Sequence, residues 1–273
     1  MTEPQSNQVD AESLDNTGLV LRQDEDSVAF LTLNLPGAYN ALSLAMMEAV
    51  LQELARLDQD PGIAAVVIKG SGKGFCAGHD LKEMRANPDV AFREKTFATC
   101  SAMMMAVTQL RQPVIAQIHG IATAAGCQLV ASCDLAIAAT DARFSTPGVN
   151  IGLFCSTPMV ALSRAVSRKK AMEMLLTGDM IGAPEAAGIG LINKSVPSDL
   201  LDRAVKELAQ KVASKSPLVL KTGKEAFYQQ IDMPLAQAYD HCSRIMVENM
   251  AFKDAEEGID AFIGKRPPVW KGE

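Results

Sequence analysis

Residues 119–138, HGIATAAGCQLVASCDLAIA, decide the fold of this chain. The apolar run at residues 114–118 comes just before them, and a second one, at residues 135–139, closes them; both have the length of a buried strand. A turn rich in glycine and alanine follows the first run and leads into a segment that predicts a helix through Gln128. Strand, turn, helix and strand in this order are typical of an α/β core.

The same order occurs earlier in the chain. Residues 28–35, VAFLTLNL, predict a buried strand, and a Pro-Gly turn leads from it to a helix that Ser43 can cap. Residues 64–72, AAVVIKGSG, predict a second strand that glycines end, and residues 94–110 predict another helix. The repeated alternation therefore predicts an α/β fold with a largely buried sheet.

The pattern of apolar residues divides the chain into three parts. Residues 1–16 are polar and acidic, without apolar periodicity, and predict a flexible tail. Residues 17–199 contain the alternating strands and helices, and residues 200–273 contain helical segments alone. We expect an α/β core followed by an all-α C-terminal region. Composition leaves open whether that region packs on its own core or on a neighbouring subunit.

Charge and composition argue against several classes of protein. A net charge of −6 disfavours a nucleic-acid partner, because phosphate binding needs clustered positive charge. No apolar run approaches the roughly 20 residues of a membrane-spanning helix. The six cysteines form no CxxC pair and the three histidines are scattered, so we expect no metal site. Because no secretory signal is recognisable, we expect reduced thiols and a cytoplasmic location.

Two small-residue turns form the candidate site. Residues 74–80, GFCAGHD, and residues 120–128, GIATAAGCQ, each stand where a predicted strand leads into a helix. The first turn of a helix has free N–H groups and the positive end of the helix dipole. Two such turns that face each other can hold a developing oxyanion. Either turn alone is better explained by close packing of a helix on a sheet.

The glycines match none of the common nucleotide or nucleophile motifs. The run at residues 70–74 lacks the order of a P-loop, and no GxGxxG follows a strand in a βαβ unit. No GxSxG elbow surrounds Ser156. Phosphoryl transfer, Rossmann-type dehydrogenation and α/β-hydrolase chemistry are therefore disfavoured.

Four segments together resemble the crotonase (enoyl-CoA hydratase/isomerase) superfamily in that family's order. They are LNLPGAYNALS at residues 33–43, FCAGHDLKEM at 75–84, the stretch at 119–138 and EGIDAFIGKRPPVW at 257–270. The resemblance implies a crotonase-type spiral of ββα turns, a C-terminal helical trimerisation region, and a homotrimer or dimer of trimers. It also implies an acyl-CoA thioester as ligand, with CoA as part of the substrate and no separate cofactor.

The resemblance assigns roles to individual positions. It implies that the backbone N–H groups of His79 and Ala125 form the oxyanion hole. It implies structural roles for Asp80 and Asp134, whose carboxylates we expect to accept backbone N–H groups. Further positions are implied to contact CoA, the last two of them the CoA of an adjacent subunit: Ala41, Phe75, Cys76, Ala77, Lys82, Phe262 and Lys265.

The chain departs from the family at the two glutamates with which its hydratases activate water. Gln128 and Gly148 stand there, and Ser156 stands where some relatives have a working carboxylate. An amide cannot accept a proton at neutral pH, so general base catalysis, worth about 10²–10⁴-fold, is missing from both positions. We expect an acyl-CoA enzyme in which efficient hydration is doubtful. The alternatives are a non-catalytic CoA-thioester-binding or assembly protein, and a thioesterase whose water is positioned by Gln128, Ser156 or a group of the substrate.

Overall fold

The computed structural model describes residues 18–273, so the predicted tail at residues 1–16 lies outside the described residues. The strands are β1 (Val20–Glu25), β2 (Val28–Leu33), β3 (Ala65–Gly70), β4 (Val114–Ile118), β5 (Ile121–Thr123), β6 (Leu135–Ala139), β7 (Arg143–Ser145), β8 (Ile181–Gly182) and β9 (Lys194–Val196). The helices are α1 (Leu44–Asp58), α2 (Leu81–Ala86), α3 (Val90–Gln109), α4 (Ala125–Ser132), α5 (Pro158–Ala165), α6 (Arg168–Thr177), α7 (Ala183–Gly188), α8 (Leu201–Ala213), α9 (Pro217–Gln230), α10 (Leu235–Met250) and α11 (Lys253–Ile263).

The larger sheet has six strands in the order β1-β2-β3-β4-β6-β9. Only the β1–β2 pair is antiparallel; from β2 onward neighbouring strands run parallel, with Val28 opposite Ala65 and Val66 opposite Val114. A smaller sheet, β5-β7-β8, lies beside it. Because β4 leads directly into β5, the chain passes from one sheet to the other at the turn singled out from the sequence.

Both faces of the larger sheet are covered, which explains its nearly continuous apolar strands. On β3, Val66 and Ile68 belong to the main core together with residues of α1 and α3. The alternate residue Val67 faces the opposite way and packs with Leu201 and Val205 of α8. The first helix of the predicted C-terminal region thus covers the core sheet of its own chain.

Several local signals in the sequence are confirmed. Ser43 caps α1 by accepting a hydrogen bond from a backbone N–H, and Asp80 caps α2 in the same way. The start of the helix predicted at residues 94–110 was wrong by one turn, because Asp89 caps it at Val90. Strand β1 was missed because its VLRQDE sequence is polar, as an edge strand half open to solvent allows.

A largely buried ion pair attaches α9 to the start of β6. The carboxylate of Asp134 accepts a hydrogen bond from the backbone N–H of Val114, which confirms its structural role. It also lies 2.7 Å from Nζ of Lys224 and accepts a hydrogen bond from the Tyr228 hydroxyl. The Lys224 side chain is 7% exposed, and its ammonium donates to two main-chain carbonyls. Burial lowers the pKa of Lys224, and the nearby carboxylate opposes that shift.

Candidate active site

The structure brings the two small-residue turns together through main-chain hydrogen bonds. The N–H groups of Phe75 and Cys76 both donate to the carbonyl of Ile121, at 3.0 and 3.1 Å. The N–H of Thr123 donates in return to the carbonyl of Cys76, at 3.0 Å. The turn before α2 and the turn before α4 therefore form one rigid unit.

Glycine is required where these turns touch. A Cβ on Gly126 would stand 2.1 Å from the carbonyl oxygen of Cys76, closer than any real contact. Gly78 has φ +91°, and a Cβ there would stand 2.9 Å from the carbonyl oxygen of Thr123. The small residues thus allow the two backbones to approach each other directly.

The backbone N–H of His79 is free to meet a ligand. Leu42 donates its N–H to the carbonyl of Gly78 and accepts from the N–H of Asp80, so it forms a parallel bridge opposite His79. In such a bridge the middle residue directs its own N–H and C=O away from the partner. No described residue accepts a hydrogen bond from this N–H.

The backbone N–H of Ala125 belongs to the second turn, which is hydrogen-bonded to the turn that contains His79. Ala125 is the first residue of α4, and its nitrogen is 3.1 Å from the point where a Cβ on Gly78 would stand. Ala124 before it has φ +49°, a strained conformation for a non-glycine residue, and is held by its N–H to the carbonyl of Ser145. Within residues 18–273 the N–H of Ala125 has no acceptor, and the dipole of α4 adds positive potential there.

A cavity of about 490 Å³ opens beside these groups. Its wall includes the predicted site residues His79, Gly148 and Ser156. The other large side chains of the wall are apolar: Leu81, Met84, Phe97, Ile151, Leu153 and Phe154. A mostly apolar cavity with a few polar side chains, here Asn150, Ser156 and Thr157, suits an acyl chain joined to a carbonyl.

Burial sets the protonation of His79. Desolvation lowers the pKa of its imidazole to about 4, so the ring is neutral at pH 7. The ring lies edge-on to Phe97, with centroids 5.3 Å apart, and no described residue forms a hydrogen bond with its buried Nε2.

Gln128 does not reach the cavity wall. It lies in the first turn of α4 and is buried, and its Oε1 accepts a weak hydrogen bond from the Cys100 thiol, 3.9 Å away. The carboxamide is therefore directed towards Cys100 of α3 and not into the cavity.

Gly148 lies in the wall but has no room for a side chain. A Cβ there would stand 2.8 Å from the carbonyl oxygen of Leu153 and 2.9 Å from Sγ of Cys155. The N–H of Leu153 donates to the carbonyl of Gly148, which fixes this segment in place. The loop at residues 152–156 thus fills the space of a side chain at position 148. The sequence alone gave no sign that residues 152–156 close the space beside position 148.

The other predicted CoA positions fall into two groups. Ala41, Phe75 and Cys76 are buried, and the last two use their N–H groups within the protein, while Ala77 is part of the cavity wall. Lys82 is exposed at the start of α2. Phe262, which is 86% exposed, and Lys265 lie at the C-terminal end and do not contribute to the cavity of their own chain.

Comparison with known proteins identifies relatives along almost the whole chain. The family described as enoyl-CoA hydratase/isomerase matches residues 23–273. The mitochondrial enoyl-CoA hydratase domain-containing protein 3 of Xenopus laevis is 45% identical over 257 residues, which are 94% of this chain and 87% of the relative. No helix within the described range could span a bilayer.

Solved structures agree with the predicted fold class. An enoyl-CoA hydratase of Mycobacterium smegmatis superimposes with a TM-score of 0.91 at 50% identity, covering 93% of this chain and 99% of that one. Human enoyl-CoA hydratase domain-containing protein 3 gives 0.90 at 44% identity, covering 92% and 99%. The predicted crotonase fold is confirmed, and this chain belongs to the enoyl-CoA hydratase/isomerase family.

Proposed function

We propose that this chain binds acyl-CoA thioesters and holds the thioester carbonyl oxygen between the backbone N–H groups of His79 and Ala125. The observation that carries the proposal is that two unengaged main-chain donors, on two turns joined by hydrogen bonds, adjoin an apolar cavity whose wall includes His79 and Ala124. Buried N–H groups are almost always paired, so two free ones at a strained turn suit a ligand oxygen. Family membership supports an acyl-CoA ligand.

The same site is poorly equipped for hydration. Gln128 is directed away from the cavity and Gly148 cannot carry a side chain, so neither position supplies a carboxylate. Ser156 is exposed, and its hydroxyl makes a long contact of 3.4 Å with the carbonyl oxygen of Phe154. We propose a reaction in which the oxyanion hole stabilises an enolate without a water held between two carboxylates.

Two rival functions share the same binding site. A non-catalytic CoA-thioester-binding or assembly protein is favoured by the closed space at Gly148. A thioesterase is favoured less, because Gln128 does not face the cavity where a hydrolytic water would stand.

Crotonyl-CoA tests these functions together. We expect calorimetry to show binding, while the enoyl absorbance decays at least about 10²-fold more slowly than with a two-carboxylate hydratase, since base catalysis is missing. A thiol reagent in a parallel sample reports release of free CoA. Fast hydration would contradict the conclusion that positions 128 and 148 supply no catalytic group. Release of CoA would favour the thioesterase. Absence of binding would refute the proposed site.

We propose further that the chain assembles as a homotrimer or a dimer of trimers through its C-terminal helices. Large apolar side chains there are open to solvent in the single chain, among them Leu235, Val247, Phe262 and Ile263. Large exposed apolar side chains concentrated in one region of a chain indicate an interface. Phe262 and Lys265 would then be free to reach the CoA of a neighbouring subunit.

Sedimentation equilibrium of the wild type is expected to give a mass of three or six chains. The double variant F262D, I263D should have a lower mass. A wild-type monomer would contradict the proposal.

We propose a reducing compartment, because the six cysteines are free thiols, four of them buried. The Xenopus relative is named as mitochondrial, whereas the sequence pattern predicts the cytoplasm. Imaging of the tagged full chain, with its N-terminus unblocked, distinguishes the two locations.

A further inference from the structure

We infer that the imidazole of His79 is the proton-transfer group of this site, removing a proton from the α-carbon of the bound acyl thioester and returning it. The inference rests on the proposed function, because the thioester carbonyl must lie between the N–H groups of His79 and Ala125. One residue then supplies both an oxyanion donor and the base.

The cavity wall leaves few other groups for this task. Among the described residues of the wall there is no aspartate, glutamate, lysine or arginine, and its titratable side chains are His79 and Cys155. Burial raises the pKa of the Cys155 thiol, which therefore stays protonated and cannot act as a base. The ring makes no hydrogen bond with a described residue; because its Nε2 is buried out of reach of solvent, we take Nδ1, the other ring nitrogen, as the proton acceptor.

The basicity of this ring matches the role. A pKa of about 4 is close to that of an ordinary glutamate, about 4.3, the residue type that bases of this family use. Burial alone causes the shift. The neighbouring carboxylates are engaged, since Asp80 caps α2 and Glu83 accepts from the N–H of Leu44. On α3, burial raises the pKa of Cys100 to about 11, so that thiol is neutral.

The proposed step balances without a further reactant. The α C–H bond breaks, its proton passes to the imidazole, and its electron pair forms the enolate whose oxygen lies in the oxyanion hole. The imidazolium then stands close to the enolate oxygen, and opposite charges in a dry site attract strongly. Return of the proton to carbon restores the substrate; in D₂O a deuteron is returned.

Proton NMR of butyryl-CoA in D₂O with the purified full chain tests this step. We expect wild type to exchange the α-protons and H79Q to slow the exchange by about 10²–10⁴-fold, with binding measured by calorimetry retained. H79A keeps the backbone N–H, and added imidazole should restore part of its exchange. H241Q, which removes another histidine with a buried and unpartnered Nε2 outside the cavity wall, should leave the rate unchanged.

The outcomes separate the inference from the function on which it rests. If H79Q exchanges as fast as wild type, or if wild type binds butyryl-CoA without exchange, His79 is not the base and the binding site still stands. If wild type does not bind the thioester, the proposed function fails. Loss of exchange in H79Q with intact binding, together with imidazole rescue of H79A, supports the inference.

Discussion

Replacing the backbone amide of Ala125 by an ester is expected to slow α-proton exchange of butyryl-CoA by about 10²–10³-fold, the usual effect of removing one oxyanion donor. The ester keeps the side chain and removes only the N–H, which no described residue accepts. Proline would remove it too, but the residue before a proline is restricted to extended conformations, whereas Ala124 has φ +49°. Exchange is followed by proton NMR at saturating thioester.

A second ester controls for the change in the helix itself. Ala125 and Arg168 are both first residues of helices, and in each case the preceding carbonyl accepts a hydrogen bond from the N–H four residues later, at 3.0 Å for Ala124 and 2.9 Å for Ser167. An ester at position 168, which is exposed, weakens the helix start equally and should not change exchange. Equal exchange rates for the two ester variants would show that the Ala125 N–H is not a donor of the oxyanion hole.

D134N is expected to lower the free energy of unfolding by about 3–5 kcal/mol. The substitution leaves the Lys224 ammonium buried without a counter-charge, although its two carbonyl contacts remain. Loss of the attraction between the two charges lowers the free energy of unfolding, but most of the decrease comes from leaving a buried cation without a counter-charge. Urea denaturation at one fixed protein concentration measures the change.

The same helix offers a matched control. Lys221 and Glu225 form an exposed pair, 3.8 Å apart, and E225Q should change stability by about 0.5 kcal/mol or less. The double variant D134L, K224M removes both charges and should be more stable than the sum of its single variants predicts. If D134N and E225Q behaved alike, the buried pair would not hold α9 on the core.

Much of the fold could be read from the sequence because the sheet is buried on both faces. Apolar runs such as residues 114–118 are then strands along their whole length, and glycine-rich turns separate them from the helices. The edge strand β1 escaped notice because solvent exposure permits polar residues there. Boundaries set by a single cap, such as Asp89, moved by a turn.

The candidate site was predictable in kind but not in detail. The pairing of the two turns follows from small residues at the ends of neighbouring strands. The direction of the Gln128 side chain depends on Cys100, 28 positions earlier, and the crowding at Gly148 depends on a loop carbonyl. Local sequence patterns do not specify the positions of the atoms in such contacts. In the same way, the His79 N–H has no protein acceptor because of its bridge to Leu42, which is distant in the sequence.

The crowding at Gly148 bears on how this protein could change over evolutionary time. A glutamate introduced there alone would collide with the Leu153 carbonyl and the Cys155 thiol, so the variant would be impaired before it gained any chemistry. A change that first moved residues 152–156 would give no benefit by itself. The effect of each change depends on the other. A path to a two-carboxylate site must therefore pass through an intermediate that has no advantage over the present protein.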